Sequence, residues 1–597
     1  MRELRATLGS SCVARDRRRF LVWAPTVKRV EVVLVAGRRK VVAMRRRGDG
    51  YHQGVVEGVE PGARYVYRLD GLKEFPDPAS RFQPDGVHGA SAVVGPEFPW
   101  TDGGWLGMRL EDCVLYELHV GTFTPEGTFA GVIRRLRGLK ELGVTAIELM
   151  PVAQFPGSRN WGYDGVYPYA VQNTYGGPAG LKRLVNAAHR AGLAVVLDVV
   201  YNHVGPEGNH LGEFGPYFRG ADHTPWGRAL NFDGPGSEGV RRFFIENALY
   251  WQREFHIDGL RLDAIHAIRD SSARPFVKEL AEACRRQAKV LGRPFHLIGE
   301  GGLDIVRGLP ASGRRRAGLD AEWREDFHHC LHVLLTGEQT GYYARFGGVA
   351  QFAGVWRAGK ARRSFVVFSQ NHDQVGNRPG GERLAALVPF EAQKLAAATV
   401  LLSPFVPLLF MGEEYGERAP FHYFVSHSES AVIRAVREAR QAELAGCGWR
   451  CEPRDPQDGA SFGDSKLNRG LAEQGGHRLL REFYRELMRL RRMLPLPTCA
   501  DGGRMNVHAY RKERVLVAEY SNASRRSVLV FNYSGRMAAV VVALAAGRWR
   551  KRLDSASAGW DGPGGEVPDE VRSRGGVKLR LPARSVLVVE SGALFRG

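Results

Sequence analysis

The chain has 597 residues, 44% hydrophobic and 25% charged, a composition that supports large packed cores and, at this length, about three or four domains. No apolar run approaches the roughly 18 residues of a membrane helix, and the opening MRELRATLGSSCVARDRRRFLVWAP has charge without an apolar core, so neither a membrane span nor a secretory leader is expected. The formal charge of +20 raises the question of nucleic acid, but arginine is spread along the chain and no nucleic-acid-binding motif accompanies the basic runs at 15–19, 37–40, 45–47 and 313–318, so no nucleic-acid partner is expected.

The first hundred residues read as short alternating strands, RRFLVWAP, RVEVVLVA, YHQGVVEG and ARYVYRLDG, parted by Gly and Pro turns. Their spacing predicts an N-terminal β-sandwich domain over 1–98, with the Pro-rich stretch at 74–86 leading out of it. From about residue 112 the pattern becomes strand, helix, strand, helix. Strands are predicted at 114–123, 146–151, 194–203, 259–265, 295–300, 318–323, 364–373 and 406–416, with helices at 129–143, 178–192 and 240–255 among them. Eight is the number that closes a parallel barrel, so the fold class is α/β, a (β/α)8 TIM barrel over 99–495. A Gly/Pro/aromatic stretch at about 204–236 is its clearest insertion, and a helix at 477–494 ends it. The alternating segments beyond, at 514–520, 526–533, 538–544, 576–581 and 584–590, predict a C-terminal antiparallel β-domain over 496–597.

In such a barrel the chemistry belongs at the C-terminal ends of the strands. There the third strand brings Asp198, followed by Asn202 and His203; the fourth Arg261 and Asp263; the fifth Glu300; the seventh His372 and Asp373. Asp198 either braces the next turn or contacts substrate, His203 is either a rim residue or a ligand, and Glu414 after the eighth strand reads as bracing. Asp263, Glu300 and Asp373 together point to catalysis. Arg261 and Asp263, two apart on a strand, leave the same face, and a guanidinium beside that carboxylate favours its charged, nucleophilic form. Glu300 follows apolar Leu297 and Ile298 and a Gly, with no cationic neighbour in sequence, which suits a proton donor. Two carboxyls in unlike surroundings serve glycoside cleavage, and a retaining mechanism sets them roughly 5–5.5 Å apart.

The motifs DVVYNH (198–203), GLRLDAIHA (259–267), HLIGE (296–300) and QNHDQVGN (370–377) resemble the four conserved regions of the alpha-amylase superfamily. The resemblance implies Asp263 as nucleophile, Glu300 as general acid/base and Asp373 as the carboxylate that stabilises the transition state. FLVWAPTVKRVEVVL (20–34) looks like the sandwich that precedes the barrel in branching and debranching members. A closer likeness runs through YELHVGTFTPEGTF (116–129), NWGYDG (160–165), DFHHCLHVLLTGE (326–338) and FMGEEYGE (410–417), which look like the maltooligosyltrehalose trehalohydrolase family. That family hydrolyses the α-1,4 bond beside a terminal trehalose unit. The runner-up is transglycosylation by an α-1,4-glucan branching enzyme.

By the same resemblance, His266, His372, Gln374 and Asn377 line the substrate site, and Asp326, Phe327, His328 and His329 form a further wall. Trp161 and Tyr163 have flat apolar faces suited to sugar C–H surfaces, the alternative being packing in the core or at the rim. An α-glucan substrate, a maltooligosyltrehalose synthase as pathway neighbour and no cofactor are implied. No metal is expected either: His328 and His329 have no third ligand spaced with them, and Cys447 and Cys451 are the one close pair among seven cysteines. That odd, scattered set reads as a reduced, cytoplasmic protein. The family's Ala-Glu-Ser-Asp is here Gly299-Glu300-Gly301-Gly302, and the glycines are expected to loosen the loop. Glu325 stands where an Asp is more usual, a change of reach rather than charge.

Overall fold

A computed structural model describes residues 7–14, 16–35, 39–301, 318–358, 365–449, 452–496 and 503–592. The basic run at 313–317, Gly302, Cys451 and Cys499 lie outside them. The first strands form two antiparallel sheets, one built on Arg17–Trp23 and Tyr51–Glu57, the other on Val30–Leu34 and Arg64–Leu69. In Arg64–Leu69 alternation decides which side is buried: Tyr65, Tyr67 and Leu69 turn inward to join Phe20, Val22 and Val32, while Val66 and Arg68 between them are partly exposed.

Leu115–Leu118, Ala146–Leu149, Ala194–Val199, Gly259–Leu262, His296–Gly299, Ala321–Trp323, Phe365–Val367 and Val406–Phe410 close a parallel barrel, each strand pairing with the next and the last with the first. These are the eight strands read from the sequence, most of them shorter than expected. The first ends at Leu118 because the His119 carbonyl accepts the Phe123 N–H and starts a helical turn, Val120–Phe123. Of the predicted helices, 178–192, 240–255 and 477–494 are Gly177–Arg190, Ser237–Glu254 and Gly475–Met493. The one at 129–143 is two, Phe129–Ile133 and Leu136–Leu142.

Register sorts the barrel interior into layers. Leu115, Ala146 and Ala194 lie side by side; one layer up come Glu117, Glu148 and Val196; then Asp198, Arg261 and Ile298. Leu115, Ala146, Ala194, Val196, Ile298, Val366 and Leu408 belong to an apolar cluster that plugs the lower interior. Going up, the inward positions turn polar, toward the face where such barrels act.

The insertion carries a hairpin, Phe218–Thr224 against Gly227–Leu230. The sandwich leans on this segment: Trp23 packs edge-on to Tyr217 at 5.1 Å, Tyr67 on Phe214 at 6.3 Å and Phe75 on His210 at 4.8 Å. Against the helices Val349–Ala358 and Phe390–Leu401 lies a six-stranded antiparallel sheet that includes Val515–Ser521, Arg525–Asn532 and Ser585–Gly592, with a smaller sheet of Ala538–Val542 and Val577–Leu581. Buried Lys394 ties it to the barrel by donating to the Ser555 carbonyl at 2.9 Å. Among the described residues, no helix is long and apolar enough to cross a membrane.

Candidate active site

Arg261 is fully buried and sits at the centre of the mouth. Its Nη1 donates to Asp198 Oδ1 at 3.0 Å and Oδ2 at 2.8 Å, and to Asp263 Oδ1 at 2.9 Å. Its Nη2 lies 2.8 Å from Glu300 Oε2. Glu300 has no cationic neighbour in sequence, but the fold supplies one in space, so the expectation of less charge support is corrected. Arg261 stands opposite Ile298 in the ladder, so residue 300, two further on, enters the same interior within reach of the guanidinium. Burial still pushes the Glu300 carboxyl up, with Arg261 pulling it down and Asp263 adding to the rise. Asp263 has donors on both oxygens, Arg261 on Oδ1 and Asn202 Nδ2 on Oδ2 at 2.7 Å. Asp198 is raised by burial to about 7 against the pull of Arg261.

The strand predicted at 364–373 stops at Val367. Asn371 then caps a short helix, His372–Gly376, by accepting the Gln374 N–H at 2.8 Å. His372 is held on all sides. Its backbone N–H donates to Glu117 Oε2 at 3.0 Å, Nδ1 faces Glu117 Oε1 at 2.5 Å, and Nε2 lies 2.7 Å from the Tyr163 hydroxyl and 3.3 Å from Asp373 Oδ2. Burial alone would push this imidazole down; the Asp373 and Glu117 carboxylates overcome it and raise it to about 10, so it is cationic at neutral pH. Asp373 is itself pushed up by burial, opposed by His372 and reinforced by Glu300. The Tyr163 hydroxyl also donates to Asp198 Oδ2 at 2.7 Å, tying the third and seventh strand ends together.

Other expected contacts fall elsewhere. Trp161 is buried behind the mouth, its indole N–H on the His422 carbonyl at 2.8 Å and its ring stacked on Phe421, which makes it a packing residue. Phe327 lies wholly in the core against Phe352 and Phe405. His328 is buried with Nδ1 on the Ser369 carbonyl at 2.8 Å and Nε2 on the Tyr343 hydroxyl at 3.1 Å, so both nitrogens are spent inside the protein. These three do not fit the expected role as sugar contacts: Trp161 packs among aromatic rings, and at the start of the helix Glu325–Thr336 Phe327 and His328 turn into the core while Glu325, Asp326 and His329 stay partly open. Asp326 is bound by Arg324 Nε at 2.8 Å. His203 is buried behind Asn202, with Nε2 on the Tyr163 carbonyl at 3.1 Å. His329 is pushed down to about 4 by burial, which leaves it neutral, and His266 is exposed.

Sequence reasoning passed over three residues here, Glu117, Glu148 and Trp226. Glu117 orients His372, and Glu148 beside it is buried with no hydrogen-bond partner for either carboxyl oxygen among the described residues. Burial pushes Glu148 well above the usual carboxylate range, with Glu117 and Asp198 adding to it. The only signal for both was a Glu inside an apolar strand. Glu325 is joined to Gln374 by a hydrogen bond and raised to about 8 by burial, with Glu300 and Asp373 adding. Trp226, about half exposed at the hairpin turn, has its ring 5.9 Å from His203 and 6.3 Å from His266.

Around Glu300, Gly301 has φ +96, and a Cβ there would lie 3.0 Å from His266 Nδ1; a Cβ on Gly299 would meet Leu319 at 2.8 Å. Gly301 thus holds a backbone angle that L residues rarely adopt, and Gly299 has no room for a side chain. Ligand-type atoms of His88, Glu207 and Glu429 form one group within 4.8 Å among the described residues, but Glu207 there already accepts from Ser428 and faces His427.

An eight-stranded parallel barrel whose mouth sets a buried arginine among Asp263, Glu300 and Asp198, with Asp373 beside them, defines a glycoside hydrolase of the alpha-amylase class. Residues 80–215 match the alpha amylase catalytic domain model, and 7–80 match carbohydrate-binding module 48, the isoamylase N-terminal domain. A malto-oligosyltrehalose trehalohydrolase of Saccharolobus solfataricus is 47% identical over 79% of this chain and 85% of its own length. One from Arthrobacter ramosus is 46% identical over 80% and 88%. A Salmonella typhimurium crystal structure provisionally described as an alpha amylase superposes with a TM-score of 0.84 at 38% identity, covering 98% of this chain and 99% of that one. The chain belongs to the malto-oligosyltrehalose trehalohydrolase family.

Proposed function

We propose that the protein is a retaining glycoside hydrolase that cleaves the α-1,4 bond next to the terminal trehalose of a maltooligosyltrehalose, releasing trehalose and a maltooligosaccharide. The observation that carries this reading is Arg261, one guanidinium contacting Asp263 at 2.9 Å and Glu300 at 2.8 Å, which gathers nucleophile and acid at one mouth. Asp263 attacks the anomeric carbon while Glu300 gives its proton to the glycosidic oxygen, and trehalose leaves. The glycosyl–Asp263 ester is then opened by water, from which Glu300 takes a proton. Asp373, backed by cationic His372, supports the oxocarbenium-like charge. Tyr163 and Trp226 offer apolar faces to sugar rings. Branching is the weaker reading, since relatives 46–47% identical over four-fifths of the chain are trehalohydrolases.

The same reading divides the chain at 98/99 and 495/496, places it in the cytoplasm, and makes a synthase of maltooligosyltrehalose its supplier. The test is to incubate the protein with maltotriosyltrehalose and, separately, with plain maltooligosaccharides. Trehalose from the first with little turnover of the second is the expected result; new branch points and little free trehalose would overturn it.

A further inference from the structure

The helix Ser430–Gly446 follows the eighth strand, far in sequence from the motifs that carry the mouth, yet its Arg440 is buried against them. Arg440 Nη1 donates to Asn377 Oδ1 at 2.9 Å, and Nη2 donates to the Gly376 carbonyl at 2.6 Å. Asn377 in turn donates from Nδ2 to Asp373 Oδ1 at 3.3 Å. A guanidinium has donors and no acceptor, so only the oxygen end of the Asn377 amide can face it. That leaves the amino end for the Asp373 carboxylate. Glu443 Oε2 holds the same Nη1 at 2.8 Å, which fixes the guanidinium in turn. The Gly376 carbonyl belongs to the last residue of the short helix on which Asp373 rides. Helix ends leave such carbonyls without an internal partner, and Arg440 fills this one.

We propose that Arg440 is a positioning residue for Asp373: it fixes the Asn377 amide with its N–H toward the carboxylate and braces the helical turn beneath it. The inference rests on the function proposed above and deepens it. Arg440 acts through Asn377 and touches no reacting atom. Without it the amide is free to flip and turn its oxygen on the Asp373 oxygen, losing a hydrogen bond and adding repulsion. A lysine supplies one point donor where the guanidinium supplies a fork, and restores the arrangement in part.

The experiment compares kcat and KM for wild type, Arg440→Met, Arg440→Lys, Asn377→Leu and the double variant Arg440→Met/Asn377→Leu. Rates are expressed per active site by titration with a covalent glycosyl inhibitor, and thermal midpoints are recorded alongside. Arg440→Met is expected to lower kcat by about 10- to 100-fold, as displacing a group by up to about 1 Å does, with a much smaller change in KM. Arg440→Lys should recover part of the loss. In the Asn377→Leu background, Arg440→Met should add little, because the two residues act in series. Unchanged kcat per active site in Arg440→Met, or losses that multiply in the double variant, would overturn the inference, whatever happens to the thermal midpoint. If wild type releases no trehalose but cleaves plain maltooligosaccharides, the specificity reading falls. The same comparison on those substrates then decides for or against Arg440 by itself.

Discussion

Arg261 brings one positive charge to three carboxylates, Asp198, Asp263 and Glu300, so the charges in the mouth balance only if some acids keep their protons. Burial favours the protonated form of Glu300, and catalysis by a protonated Glu300 sets the sign of the pH response. kcat/KM should fall as pH rises through the elevated Glu300 value, and Glu300→Gln should lose about 10²- to 10⁴-fold in kcat and remove that limb of the profile. Glu148 tests the same idea away from the chemistry. Among the described residues its carboxyl has no hydrogen-bond partner, and burial favours its neutral form, so the isosteric, neutral Glu148→Gln should keep nearly full kcat and a similar thermal midpoint. A large loss would mean that a charge, not an acid, is needed there. How far these residues were legible depended on reach. Asp263, Glu300 and Asp373 stood out because carboxylates at strand ends are costly without a purpose. The Arg261–Glu300 contact was hidden because it joins one strand to its neighbour, and Arg440 was hidden because Asn377 and Gly376 lie more than sixty positions away.

The barrel strands were readable as elements because both faces are covered, which forces nearly unbroken apolar runs. Their ends were not, since a cap or a helical turn there depends on single hydrogen bonds such as Asn371 to the Gln374 N–H. In the C-terminal sheet, Arg504–Tyr510, Gly547–Asp554 and Glu570–Ser573 escaped notice because charged residues on the outward face break the apolar signal; GRWRKRLD buries Trp549 and little else in its first six residues. The loop after the fifth strand offers a prediction at this scale. Gly301→Ala forces an L residue to φ +96 with its Cβ against His266, which should cost about 1–2 kcal/mol of stability and lower kcat by displacing Glu300. Chemical denaturation and kinetics on the same preparation check both. Equal stability and rate would show that the turn relaxes freely.

Taken whole, the molecule keeps many protons in its native state, and this sets how its stability should respond to pH. Glu413 and Glu325 are raised by burial from 4.5 to about 8, so their contribution is complete below 4.5 and is lost as pH rises through 8. His372, raised from 6.5 to about 10, adds in the same direction: its share is intact below 6.5 and gone above 10. Glu207 and Glu338 are lowered to about 2 and act oppositely, contributing above 4.5 and failing as pH falls through 2. Thermal midpoints should therefore peak in mildly acidic buffer and decline toward pH 10. Glu413→Gln should flatten the decline between 4.5 and 8, and an unchanged slope would count against a buried neutral Glu413. The sandwich has a consequence at this scale too. Trp23, Tyr67 and Phe75 press on Tyr217, Phe214 and His210 of the inserted segment, whose hairpin lifts Trp226 beside the mouth. In builder's terms the sandwich is a buttress. A barrel cut free of it would retain each carboxylate yet lose the footing of one wall, so the piece that resembles a carbohydrate-binding module also serves as masonry.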